Sequence, residues 1–122
     1  MLPQPLIVVA DVEASSRWYQ QALGLTSGHG GSHYERLMDG DRLVIQLHDA
    51  DVEHHHGRIA DPALPMGNGV LLWFAVDDLD ATVARVRALG AEVVMEPTEN
   101  PGAGHRECWF RDPDGYTVVV AG

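Results

Sequence analysis

One pattern occurs twice along this chain and limits its fold more than any other feature. A short apolar, β-branched run is followed by aspartate, an amphipathic stretch and a glycine. The first copy runs Leu6-Ile-Val-Val-Ala10, Asp11, residues 12–23, Gly24. The second runs Leu71-Leu-Trp-Phe-Ala-Val76, Asp77-Asp78, residues 79–89, Gly90. Each apolar run predicts a buried strand. Val12, Ser15, Ser16, Tyr19 and Leu23 share one helical face, as do Leu79, Val83, Val86 and Leu89. Aspartate suits a helix start, where its carboxylate meets free amides, and glycine suits the left-handed turn at a helix end.

Each copy continues into a hairpin. Residues 33–38 and 42–48 flank Asp39-Gly40, and residues 106–111 and 116–121 flank Asp112-Pro-Asp-Gly115. The polar, proline-containing stretch between the copies reads as a linker. The expected organisation is therefore an α+β domain over residues 1–122. It contains a βαβββ module at 4–49, a linker at 50–68 and a second βαβββ module at 69–122. A unit of roughly 55 residues cannot bury its sheet alone, so two units must pair, within one chain or between two.

Charge narrows the partners. The formal net charge is −10, and every base is arginine. Nucleic-acid binding needs a basic face, so no nucleic-acid partner is expected; a neutral or cationic small molecule suits the balance. Cys108 is alone, which excludes an internal disulfide. No apolar run reaches ~18 residues, so no membrane partner is expected. The first residues lack a basic-then-apolar leader, and a cytoplasmic location is expected. No Gly-x-Ser-x-Gly, phosphate loop or dinucleotide fingerprint is present.

Val76-Asp-Asp-Leu-Asp-Ala81, Arg87-Ala-Leu-Gly-Ala-Glu-Val93 and Arg111-Asp-Pro-Asp-Gly-Tyr116 form a set with Trp18-Tyr19 and Leu23-Gly-Leu25. Together they resemble the vicinal oxygen chelate superfamily of glyoxalases, bleomycin-resistance proteins and extradiol dioxygenases, and its small resistance-like members in particular. The resemblance implies curled mixed sheets that form a cleft, helices outside, and a homodimer with clefts at or near the interface. Enzymes of the family hold a divalent metal with His, Gln or Glu on the first and last strands of the modules.

The family's spacing carries those metal positions onto Gln4, Leu71 and Val119, and onto Gln46 or Val44. Two amides and two aliphatics are a poor donor set for a catalytic metal, which favours imidazoles and carboxylates. No metal and no cofactor are expected, and no catalytic residue is assigned.

Strand alternation proposes a ligand-binding lining instead: Leu6, Tyr34, Arg36, Gln46, His48, Trp73, His105, Glu107 and Trp109. Trp and Tyr offer rigid surfaces for planar ligands. Glu107 would suit a cationic group and Arg36 an anionic one. Trp18 and Tyr19 are expected to pack helix on sheet, and Cys108 to be inert core. His54-His55-His56, in the linker, would bind metal weakly or form a pH-sensitive rim with Glu53 and Asp61. The expected function is sequestration of a bulky aromatic or polycyclic natural product or antibiotic. The alternative is a metal-dependent glyoxalase-like isomerase, lyase or dioxygenase.

Overall fold

The computed structural model describes residues 1–50, 59–61 and 63–122. The chain divides into two compact units, Met1–Leu64 and Pro65–Gly122. The first holds β1 (Leu6–Val8), α1 (Val12–Leu23), β2 (Thr26–Ser27), β3 (Tyr34–Asp39) and β4 (Arg42–His48). The second holds β5 (Leu71–Ala75), α2 (Leu79–Ala88), β6 (Val93–Asn100), β7 (His105–Arg111) and β8 (Thr117–Ala121). Each unit is thus one βαβββ module, and the fold is α+β. His54-His55-His56 and Glu53 lie outside the described residues.

The two sheets are built alike. Their strand orders are β1-β4-β3-β2 and β5-β8-β7-β6. In each, the opening strand pairs parallel with the closing strand, and the remaining pairs are antiparallel. A parallel pair needs a long crossover, which the helix supplies.

Both helices are capped by an aspartate three residues beyond the end of the preceding strand. Asp11 accepts from the Ala14 amide at 2.8 Å and Asp78 from the Ala81 amide at 2.9 Å. Gly24 closes α1 in the left-handed region at φ 73°, where a side chain would be strained. The faces turned inward are Val12, Ser15, Ser16, Tyr19 and Ala22 on α1, and Leu79, Thr82, Val83 and Val86 on α2.

Strand alternation sorts the rest. Leu37, Ile45 and Leu47 in the first unit, and Leu72, Cys108, Phe110, Val118 and Val120 in the second, are buried. α1 packs against β3 and β4, and α2 against β7 and β8. Cys108 is therefore core, and burial raises its thiol pKa. Tyr19 is fully buried, with Trp18 edge-on to its ring at 4.9 Å.

Two strands had little sequence signal. β2 is two polar residues. β6 reads Val-Val-Met-Glu-Pro-Thr-Glu-Asn and carries Pro97. Proline cannot donate to a ladder, and β6 tolerates it because it is an edge strand with register shifts on both sides of Met95.

One charged residue sits on a core-facing strand position. Glu35 is 2% exposed, and no cation is among its hydrogen-bond partners. Its carboxylate accepts from Ser16 Oγ at 2.9 Å and Ser27 Oγ at 2.7 Å. It also accepts from the amides of His29 at 3.0 Å, Gly30 at 2.9 Å and Arg36 at 2.8 Å. Five donors from α1, β2, the β2–β3 loop and β3 converge on one group. Burial pushes its pKa up and is the largest single influence. The bonds from Ser27, Gly30, Arg36 and Ser16 together outweigh it, and the pKa falls from 4.5 to about 2.

Glu35→Gln should destabilise the fold by roughly 2–3 kcal/mol, because the new NH2 group faces donors and the charge-assisted bonds are lost. The wild-type advantage is complete above pH 4.5 and disappears as the pH falls toward about 2. Urea unfolding of both proteins across that range checks it. An advantage that does not shrink in acid contradicts this role.

Candidate functional site

Each sheet has a face turned away from its helix, and the candidate residues lie there. In the second unit, strand pairing arranges that face in rows. Leu71, Thr117 and Arg111 lie side by side, then Trp73, Val119 and Trp109, then Ala75, Ala121 and Glu107. Trp73 is 44% exposed and Leu71 46%, both on the edge strand β5. Val119, between the two tryptophans in register, is fully buried.

Glu107 is the hub of this face. It is buried, and its Oε2 accepts from Asn100 Nδ2 at 3.2 Å and faces His105 Nε2 at 3.3 Å. Its Oε1 accepts from the Trp109 indole N–H at 3.1 Å. Desolvation, the largest influence, raises the Glu107 pKa. Hydrogen bonds from Asn100, Trp109 and His105 and the charge of His105 together lower it below the ordinary 4.5. An ionised carboxylate can only accept, so it fixes the indole edge of Trp109. The His105 ring lies 6.0 Å from the Trp73 ring. Trp73, His105, Glu107 and Trp109 are thus a connected group, joined by Asn100 of β6.

The first unit carries the other five candidates. Leu6 is level with Gln46 and Arg36, and Val8 with His48 and Tyr34. The Tyr34 hydroxyl donates to Gln46 Oε1, and Gln46 Nε2 donates to the Gln4 carbonyl at 3.1 Å. The Tyr34 ring centroid is 4.9 Å from that of His29 and 6.0 Å from that of His48. His48 turns its Nδ1 to the Asp49 carbonyl at 3.0 Å. Arg36 opens on a cleft of about 550 Å³ lined also by Gln4, Asp41, Arg42 and Leu43.

Pairing also separates the two candidates left open on β4. Counted from the capping aspartates, Gln4 corresponds to Leu71 and Leu6 to Trp73. Trp73 pairs with Val119 and Leu6 with Gln46, so Gln46 is the counterpart of Val119. Val44 falls in a bulge, since Leu37 pairs with Ile45 and Met38 with Leu43.

The positions onto which the resemblance carries metal ligands are thus Gln4 and Gln46 in the first unit and Leu71 and Val119 in the second. Both ends of the Gln46 amide are already hydrogen-bonded, and the two aliphatic side chains offer no donor. Neither unit's pair, taken by itself, fits a divalent metal. Among the described residues, no three His, Cys, Asp or Glu side chains converge elsewhere either.

Sequence reasoning missed Asn100 and Glu35. Asn100 lies on the strand that had no clear signal. Glu35 was legible, because placing Tyr34 and Arg36 on the open face necessarily puts Glu35 among the core residues.

A sequence model of the Glyoxalase/Bleomycin resistance protein/Dioxygenase superfamily matches residues 2–120. The putative glyoxylase CFP32 of Mycobacterium tuberculosis is 34% identical over 104 residues, 84% of this chain and 36% of that protein. The anthracycline biosynthesis protein DnrV of Streptomyces peucetius is 33% identical over 119 residues, 90% of this chain and 42% of that protein. The chain thus spans less than half the length of these relatives. An integron cassette protein from V. cholerae superposes with a TM-score of 0.76 at 23% identity, covering 99% of this chain and 93% of that one. That likeness shows the fold.

The Glu107 carboxyl carbon should titrate by NMR with a midpoint below 4.5, and Asn100→Ala should move the midpoint up. A wild-type midpoint at or above 4.5 contradicts the hydrogen-bonded hub.

Proposed function

Because the chain belongs to the Glyoxalase/Bleomycin resistance protein/Dioxygenase superfamily, we propose that it is a small-molecule binding protein that sequesters planar aromatic compounds. The observation that carries this reading is the tryptophan pair on the open face of the second sheet. Trp73 is half exposed on an edge strand, and Trp109 is held by Glu107 in one orientation. A large apolar side chain left open, on the same face as another fixed by a buried anchor two strands away, is what a stacking ligand needs. A pre-set ring also lowers the ordering cost of binding.

The ligand class is a bulky aromatic or polycyclic natural product. DnrV, an anthracycline biosynthesis protein, is a relative in keeping with that class. Net charge favours a neutral or cationic compound over an anionic one. Holding such a compound away from its target requires no turnover, which agrees with a metal-position set lacking good donors. On this reading the protein works as a cytoplasmic homodimer, and the apolar residues exposed along β5 lie next to the bound compound or the second chain.

Titration with a water-soluble anthraquinone should quench the tryptophan fluorescence saturably. Trp109→Ala should weaken the affinity by about 1–3 kcal/mol, roughly 5- to 150-fold in Kd. An unchanged Kd removes Trp109 from the site.

A further inference from the structure

Resting on that binding reading, we propose that His105 is a general base for the bound compound, its Nδ1 removing a proton from a carbon between a carbonyl and an aromatic ring. Glu107 is the positioning residue.

The tautomer follows from the geometry. Glu107 is buried and accepts from Asn100 and Trp109. Its Oε2 faces His105 Nε2 at 3.3 Å. A carboxylate has no proton to give, so the neutral imidazole carries its hydrogen on Nε2. Nδ1 then holds the lone pair. It has no hydrogen-bond partner among the described residues, and the side chain is 30% exposed. A carboxylate fixing one ring nitrogen while the other stays open is how a histidine base is oriented. Trp73 beside it supplies an aromatic surface at the base itself.

The ligand class follows from the donors. Asn100, Trp109 and His105 each direct a donor at Glu107 rather than at a ligand. The negative charge left by deprotonation must therefore be spread within the ligand. α-Aryl ketones, with an acidic C–H between ring and carbonyl, meet that requirement. The C–H bond breaks, its electron pair passes into the carbonyl as an enolate, and the proton resides on Nδ1. Returning that proton, or one exchanged with water, to the same carbon gives isotope exchange or epimerisation. Returning it to a conjugated position gives isomerisation. No oxidant or further reactant is consumed.

The test uses 2-tetralone in deuterated buffer with the whole chain. Exchange at C1 is followed by proton NMR, and binding by tryptophan quenching in the same samples. At saturating occupancy, wild type should exchange at least ~10-fold faster than buffer, and His105→Gln should lose most of that gain. Quenching without accelerated exchange overturns the base assignment and leaves the binding reading standing. Neither quenching nor exchange contradicts both. Nitrogen-15 NMR of the free wild-type protein adds a readout that needs no variant or ligand. The neutral His105 should be the Nε2–H tautomer, and Glu107→Gln should reduce that bias. An Nδ1–H tautomer in wild type overturns the proposal.

Discussion

Parallel pairing of the first and last strands of each unit is the constraint from which the rest of the architecture follows. β1 lies on β4 and β5 on β8, so the chain must cross over between them, and the helix is that crossover. Once the helix covers one face, the two-residue period of the strands decides every other side chain. Residues such as Leu37, Ile45, Cys108 and Phe110 go beneath the helix, and their neighbours go to the open face. The candidate site is the second half of that alternation.

The repeat is kept in the backbone and abandoned in the chemistry of its open faces. Gln46 and Val119 occupy equivalent places, and the pairing that makes them so also matches Arg36 with Trp109 and Tyr34 with Glu107. One face thus presents amide, guanidinium and phenol, and the other presents indoles and a buried carboxylate. Beneath the helices the equivalent pair is Glu35 and Cys108, both buried. Glu35 is tolerated only because five donors surround it, so in the first unit a charge with several local partners stands where the second unit uses an apolar thiol.

Much of this was legible in the residues. The capping aspartates, the closing glycines and the Asp-Pro-Asp-Gly turn located both helices and one hairpin, because each is a local device with a fixed geometry. Alternation then put Trp73, His105, Glu107 and Trp109 on one face. What could not be read were the partners across strands. Asn100 reaches Glu107 only through the pairing of β6 with β7, and β6 is polar and interrupted by Pro97. Likewise the choice between Val44 and Gln46 depends on a bulge, which parity cannot reveal.

On the proposed reading, the open face carrying Trp73 and Trp109 takes planar aromatic compounds. The chain has three tryptophans, and the third, Trp18, lies on α1. Their indole N–H signals are therefore three separate reporters in a proton–nitrogen NMR titration with a soluble polycyclic aromatic. On that reading the signals of Trp73 and Trp109 shift together and saturate while that of Trp18 stays in place. Saturable binding that moves Trp18 alone, or leaves all three unmoved, would contradict it.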